Sequence, residues 1–294
     1  MMPPERGYMK FGIVISVFKT KFGPVVFKGN LDVNIKKVSK LGFDGIELAI
    51  RNPEAVKINK LKKLIDKYNL TVFSIGTGQI YIEEGFSFSD PDKIIREKAV
   101  ERVKGIIDIA RHFNASIIIG LVRGNVKNTD NFSEELKNAE INISQCIEEL
   151  LSYSEAYNQK FLIETINRYE VNIFNRLDET YDFLVRFKDK LDLDRIGILA
   201  DTFHMNIEEP VIHESFKKYL PLIKHIHFAD SNRWPPGYGH IDFKKVLQVL
   251  EEFAYKGFIS FEMLPNPDPD TAAKEALKYI KNLLKLINMK LGRG

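Results

Sequence analysis

The chain has 294 residues, of which 44% are apolar, so it can bury a globular core and is not a disordered protein. Forty-three Lys and Arg residues against 40 Asp and Glu residues leave a formal net charge of +3, too balanced for a dedicated binder of nucleic-acid phosphates. The single cysteine, Cys146, allows no intrachain disulfide and no cysteine metal cluster, which suits a reducing cytoplasm.

The N-terminal segment does not have the pattern of a targeting sequence. Residues 1–8 contain two prolines and no apolar run, so they are predicted to be a flexible leader rather than a signal peptide. No stretch approaches the roughly 18 consecutive apolar residues of a membrane-spanning helix. We therefore expect neither a membrane nor a nucleic acid among the partners, and residues 9–294 are predicted to form one domain.

Short apolar runs alternate with longer stretches whose apolar residues recur every three or four positions, the pattern of repeated strand–helix units. The eight predicted strands are residues 11–17, 45–48, 71–75, 116–122, 161–164, 196–201, 223–229 and 259–263. The strongest helix patterns cover residues 93–113 and 271–289. Eight units without a linker between them predict an α/β fold, a single (β/α)8 TIM barrel. An open doubly wound sheet is less well supported, because the segment after the first strand lacks G-x-G-x-x-G.

In such a barrel, side chains alternate between the surrounding helices and the interior, and chemistry gathers at the C-terminal ends of the strands. The alternation brings one metal-binding group to each of strands five to eight: Glu164, Asp201, His227 and Glu262. Three carboxylates buried together repel one another unless a cation holds them, so we predict one bound divalent metal ion. Oxygen donors with one imidazole favour Mn²⁺, with Co²⁺ and Mg²⁺ as alternatives, over a structural Zn²⁺.

Several segments carry a resemblance to a known family. They are E-T-I-N-R-Y-E over residues 164–170, D-T-F-H-M-N over 201–206, H-I-H over 225–227 with N-R at 232–233, and F-E at 261–262. These segments resemble the D-tagatose/D-psicose 3-epimerase family, the ketose 3-epimerases among the xylose-isomerase-like barrels. The resemblance implies that the chain is an isomerase acting on a free ketose, a small-molecule sugar of the D-tagatose, D-psicose or D-fructose type.

The resemblance also implies roles for individual residues. Glu164 and Glu262 match the acid/base pair of that family as well as two of its metal ligands, and Glu170, His204 and Arg233 match its substrate-holding positions. Inverting the carbon next to a ketone needs one base to remove a proton and an acid to return one to the opposite face. Two carboxylates flanking an enediolate therefore suit epimerisation at C3.

Other functions use similar barrels. An aldose–ketose isomerase or an inosose dehydratase could use the same four ligands, and the sequence separates these poorly from a 3-epimerase. An apurinic endonuclease with three zinc ions needs more ligands, and no histidine precedes His112. A non-catalytic sugar-binding barrel would lack one of the two acid/base carboxylates. Whether the chain forms a homo-oligomer is left open.

Four further residues have two interpretations each. Arg123 could bind an anionic end of a substrate, but we expect it to be a surface arginine. Glu47 could contact substrate or form a hydrogen bond at the barrel rim, and His225 is expected to support His227 from below. Trp234 is either a wall of the pocket or ordinary packing. The acidic, glycine-free segment 264–270 after strand eight argues against a phosphorylated sugar.

Overall fold

Within the described part of the chain, eight of the nine strands form a closed parallel barrel, and the remaining strand, of two residues, pairs with the first strand alone. The computed structural model describes residues 9–126 and 130–290, so the leader predicted over residues 1–8 lies outside the described residues. The strands are β1 Lys10–Ser16, β2 Phe27–Lys28, β3 Gly45–Ala49, β4 Thr71–Gly76, β5 Ser116–Ile119, β6 Phe161–Glu164, β7 Ile196–Asp201, β8 Ile223–Phe228 and β9 Phe258–Phe261. All pairings are parallel: β1 pairs with β3, the strands from β3 to β9 pair in chain order, and β9 pairs back with β1. The predicted (β/α)8 barrel is confirmed.

Helices cover the outside of the barrel, and short helices also lie within some of the loops that follow the strands. They are α1 Leu31–Leu41, α2 Ile58–Tyr68, α3 Gly78–Glu84, α4 Lys93–Ala110, α5 Phe132–Tyr153, α6 Leu177–Arg186, α7 Thr202–Glu208, α8 Ile212–Tyr219, α9 Phe243–Glu252 and α10 Pro269–Lys290. Within residues 9–126 and 130–290, no helix combines the length and the apolar content needed to cross a bilayer.

The core has two parts, as the alternation of side chains along the strands predicts. Ile163 and Ile198 belong to the large core between strands and helices. Their chain neighbours Leu162 and Leu199 point the other way and pack with Ile118 in a separate buried cluster inside the barrel. This apolar cluster fills the side of the interior that is formed by β5, β6 and β7, below Glu164 and Asp201.

A two-residue strand, β2, was not predicted. β9 pairs with β1 only from Lys10 to Ile13, which leaves the last part of β1 without a partner on that side. Phe27 and Lys28 pair with Ile15 and Ser16 and supply the missing partner. The extra strand therefore satisfies backbone groups that the barrel leaves open.

The fourth barrel strand, β5, is shorter than predicted because the chain turns at Gly120 and continues as a 3-10 turn over Leu121–Arg123. A Cβ atom on Gly120 would lie only 2.5 Å from Glu164 Oε2. Glycine at this position therefore leaves room for a carboxylate at the barrel mouth.

The inner layer gives a direct test of the barrel packing. Because Leu199 is fully buried inside the barrel, Leu199→Ala should lower the free energy of unfolding by about 2–5 kcal/mol. Leu193→Ala is the matched control: Leu193 is 40% exposed, and its truncation should change stability by less than about 0.5 kcal/mol. Urea denaturation followed by circular dichroism measures both, and equal midpoints would contradict the two-part core.

Candidate active site

Four side chains from neighbouring strands meet at the C-terminal mouth of the barrel. Glu164 ends β6, Asp201 ends β7, His227 lies near the end of β8, and Glu262 directly follows β9. The Nδ1 atom of His227 lies 3.5 Å from a Glu164 oxygen, 3.7 Å from Asp201 Oδ2 and 3.8 Å from a Glu262 oxygen. All four residues are buried. The structure thus brings together the four residues that the sequence proposes as metal ligands.

Two atoms of this cluster are buried without a hydrogen-bond partner, Asp201 Oδ2 and His227 Nδ1. Buried polar atoms in folded proteins are nearly always paired, so these two need an explanation. They lie 3.7 Å apart, which is too far for a hydrogen bond and slightly more than the roughly 3 Å between adjacent ligands of one octahedral cation. Carboxylate oxygens and an imidazole nitrogen facing one another at this spacing fit a divalent metal ion.

Two of the three carboxyl groups in the cluster have raised pKa values, whereas the pKa of Asp201 is lowered to about 2 because neighbouring imidazole and guanidinium groups outweigh its burial. Burial raises the pKa of Glu262 to about 8, although the positive charges of His227 and Arg233 oppose the shift. Burial raises the pKa of Glu164 as well, and the Asp201 carboxylate adds to the effect. A cation at the centre of the cluster would favour the ionised forms.

The three residues proposed to hold the substrate face the same space. Arg233 Nη2 donates to Glu262 Oε2 at 2.5 Å, and its Nη1 donates to Glu170 Oε1 at 3.2 Å. His204 Nε2 lies 3.7 Å from Asp201 Oδ2. Burial lowers the pKa of His204 to about 3, so its imidazole is neutral. A neutral imidazole and a guanidinium therefore stand beside the metal-binding cluster.

A second imidazole thus reaches the cluster. One oxygen or nitrogen atom from each of Glu164, Asp201, His204 and Glu262 lies within 4.8 Å of the others. Distance alone does not choose between His204 and His227 as the nitrogen ligand, because the choice depends on which nitrogen of each ring carries a proton.

Asn167 is a site residue to which the sequence assigned no role. Its Nδ2 donates to Glu170 Oε1 at 3.0 Å and lies 2.7 Å from His204 Nδ1. It occurs within the quoted motif of residues 164–170, three positions before Glu170, and that spacing is the signal that could have identified it. Asn167 connects two of the proposed substrate-holding residues.

Glu47 forms the hydrogen bond expected at the rim and also lines the cleft. Its Oε2 accepts from Ser74 Oγ at 2.7 Å, lies 3.1 Å from His225 Nε2 and lies 3.0 Å from His227 Nε2. His225 Nε2 is also 3.0 Å from Ser260 Oγ. His225 is therefore found in the supporting position that was predicted for it, under the cluster.

Arg123 is not on the surface, and that expectation is wrong. Its side chain is fully buried and its guanidinium donates to backbone carbonyl oxygens, including those of Glu164 at 2.7 Å and Ile173 at 3.1 Å. The loop after β6 turns these carbonyls inward, and the five donors of a guanidinium suit such a group of acceptors. Arg123 therefore joins the backbone of Glu164 to the loop that carries Asn167 and is not among the described residues that line the cleft.

The rest of the cleft lining is uncharged. It includes Val14, Phe22, Ala49, Gly76, Gly78, Gln79, Leu121 and Ile166. Among the lining residues that the structure describes, Arg233 is the one Lys or Arg, and Glu262 and Glu170 already engage it. Trp234 packs with Tyr238, their ring centroids 6.1 Å apart, and is not part of the lining. The cleft thus offers no free Lys or Arg among its described lining residues for a phosphate group.

Comparisons with known proteins agree with this arrangement. Residues 35–283 match the model of the xylose isomerase-like TIM barrel family. The chain is 27% identical over 263 residues to a D-psicose 3-epimerase of Ruminiclostridium cellulolyticum, covering 86% of this chain and 83% of that protein. A D-allulose 3-epimerase from Methylomonas sp., solved in complex with D-allulose, superimposes with a TM-score of 0.78 at 23% identity, over 93% of this chain and 96% of that one. A 3-keto-D-glucoside 4-epimerase from E. coli gives a TM-score of 0.76 at 21% identity, over 94% and 100% of the two chains.

Metal affinity should depend on pH in a defined direction. Because burial holds the pKa of metal-free Glu262 at about 8, a cation must displace a proton below that pH, so apparent affinity should rise by up to about tenfold per pH unit between pH 6 and 8. Isothermal titration with Mn²⁺ in two buffers of different ionisation enthalpy measures both the affinity and the proton release. Glu262→Gln should bind more weakly and with a shallower pH dependence, whereas a flat wild-type profile would contradict this account.

Proposed function

This chain belongs to the xylose isomerase-like TIM barrel family, and we propose that it is a metal-dependent ketose 3-epimerase. The observation that carries the proposal is the pair of buried carboxylates, Glu164 and Glu262, beside one cation-binding point. The two come from β6 and the end of β9, with β7 and β8 between them. Relatives named as D-psicose and L-ribulose 3-epimerases align over more than four fifths of the chain and support the reaction class.

Glu164, Asp201, His227 and Glu262 would hold the metal ion, with Mn²⁺ preferred and Co²⁺ or Mg²⁺ as alternatives. When bound, the ion would stabilise the negative charge that develops on the substrate oxygens. Asp201 and His227 have no proton-transfer role in this scheme. Their buried atoms without hydrogen-bond partners, Asp201 Oδ2 and His227 Nδ1, support assigning them to the ion alone.

Glu164 and Glu262 would exchange protons with the carbon next to the ketone. One carboxylate removes the C3 proton and the other, protonated, returns a proton to the opposite face. Burial raises the pKa of Glu262 to about 8, and it raises the pKa of Glu164. A carboxyl group whose pKa is raised gives and accepts a proton more readily near neutral pH, which supports the assignment of this pair.

His204 and Arg233 would bind the oxygens at the reacting end of the sugar. Glu170 would orient Arg233, because its Oε1 accepts from Arg233 Nη1 at 3.2 Å. The uncharged remainder of the cleft supports a free sugar over a phosphorylated one. A small-molecule ketose is therefore the proposed partner. The single cysteine, Cys146, supports a reducing compartment such as the cytoplasm.

The reaction itself can be tested with the isolated protein. Mn²⁺-loaded protein should convert at least one member of a panel of free ketoses in deuterated water to its C3 epimer, with deuterium at C3 detected by NMR. Deuterium at C1 together with an aldose product would indicate an isomerase instead, and loss of water would indicate a dehydratase. Absence of exchange at C3 for every ketose would overturn the proposal.

The two glutamates should be separately essential. Glu164→Gln and Glu262→Gln keep the side-chain shape but remove the proton acceptor, so each should lower kcat by more than about a hundredfold. Glu140→Gln is the matched control, because Glu140 is another buried glutamate but is bonded to Arg186 on the outside of the barrel. Steady-state kinetics at saturating Mn²⁺ measure the effect. Near-normal turnover in both variants would exclude the two-base scheme.

A further inference from the structure

The buried imidazoles of His204 and His227 both face the proposed metal site, but each does so with a different ring nitrogen. His227 turns Nδ1 toward the cluster, and His204 turns Nε2 toward it. A neutral imidazole has one N–H donor and one lone pair, and the partner of the far nitrogen decides which of the two faces the site. The far partners of these two rings differ in kind.

The far nitrogen of His227 faces a hydrogen-bond acceptor, the Glu47 carboxylate. Its Nε2 is 3.0 Å from Glu47 Oε2, a carboxylate oxygen that also accepts from Ser74 Oγ at 2.7 Å and lies 3.1 Å from His225 Nε2. An ionised carboxylate has no proton to give, so the proton of the His227–Glu47 bond belongs to Nε2. When the ring is neutral, as a metal ligand must be, His227 Nδ1 therefore presents a lone pair to the cluster, where it has no hydrogen-bond partner.

The far nitrogen of His204 faces a hydrogen-bond donor, the Asn167 amide. The orientation of the Asn167 amide is set by its other contacts: Oδ1 accepts from the backbone N–H of Tyr169 at 3.0 Å, and Nδ2 donates to Glu170 Oε1 at 3.0 Å. The second hydrogen of Nδ2 is directed at His204 Nδ1, 2.7 Å away. Arg233 Nη1, also a donor, lies 3.4 Å from the other ring nitrogen, Nε2, but the Asn167 contact at 2.7 Å is much shorter. With Nδ1 accepting from Asn167, the proton of the neutral ring is on Nε2 and the cluster faces an N–H.

We propose that Glu47 and Asn167 are positioning residues that give the two imidazoles opposite roles. Glu47 makes His227 a lone-pair donor to the metal ion, and Asn167 makes His204 an N–H donor to a substrate oxygen. The same argument excludes His204 as a ligand, although its distance to the carboxylates would allow it. The half that concerns Asn167 rests on the proposed function, and the half that concerns Glu47 rests on metal binding alone.

The Glu47 half is tested by metal affinity rather than by turnover. Loss of an outer carboxylate behind a ligating histidine typically costs about 10–100-fold in affinity, so Glu47→Gln should weaken Mn²⁺ binding by that factor in titrations followed by electron paramagnetic resonance. Glu140→Gln, the control on the outside of the barrel, should bind within about threefold of wild type. Unchanged affinity in Glu47→Gln would overturn this half.

The Asn167 half is tested by a contrast between kcat and metal affinity. Asn167→Asp replaces the donor with an acceptor, so the proton of His204 should move to Nδ1 and kcat should fall by about 10²-fold, the scale for loss of one positioned donor. Mn²⁺ affinity should not fall. Asn34→Asp is the matched control, because Asn34 is buried in α1 and its amide donates to the backbone of Gly29. A loss of Mn²⁺ affinity equal to that of Glu47→Gln would indicate a general structural role and overturn the proposal.

A measurement on the unmodified protein tests the proposal even if a variant fails to fold or if the wild type converts no ketose. In Zn²⁺-loaded protein labelled with ¹⁵N-histidine, Zn²⁺ being diamagnetic, NMR should show the proton on Nε2 in both His204 and His227. Loss of the corresponding signal in His204→Gln and His227→Gln assigns the two rings. A proton on Nδ1 of either ring would overturn the proposal, whereas failure of the ketose assay with these protonation states intact would overturn only the proposed function.

Discussion

The mouth of the barrel is shaped by an excess of buried negative charge. Glu164, Asp201 and Glu262 occupy one space, each nearly or fully removed from water. Arg233 contacts two of these carboxylates, and its guanidinium and the His227 imidazole are the positive charges that face them. Folding brings the carboxylates together at an energetic cost, because each loses its hydration and faces two like charges. Cation binding relieves that cost, so metal affinity and the stability of this end of the barrel are thermodynamically linked.

The loop after β8 holds the positively charged Arg233 in position through its backbone. Arg233 has φ +60, in the left-handed region that favours glycine, so its backbone is strained. Its N–H donates to Asp230 O at 2.8 Å, and its carbonyl accepts from the N–H of Leu264 at 2.7 Å. These bonds tie the loop after β8 to the segment after β9, which carries Glu262. The same residue donates through Nη2 to Glu262 Oε2, so the strained position carries the guanidinium that faces the carboxylates.

Much of the fold and part of the site could be predicted because they depend on periodicities within the sequence. The period of two along each strand correctly separated Leu199, inside the barrel, from Ile198, in the outer core. It also placed Glu164 and His227 at the mouth. What escaped prediction depends on contacts between distant segments. The burial of Arg123 follows from carbonyls that the loop after β6 turns inward, and β2 follows from the unequal lengths of β1 and β9.

The two imidazoles show the limit of such reasoning most clearly. Strand alternation states where the Cβ of His227 points, but it says nothing about which ring nitrogen carries the proton. That depends on Glu47, 180 residues away in the chain, for His227, and on Asn167, 37 residues away, for His204. Both partners act through a single hydrogen bond to the far side of a ring. Two histidines that both face Glu164 and Asp201 therefore differ chemically because closure of the barrel brings different groups behind them.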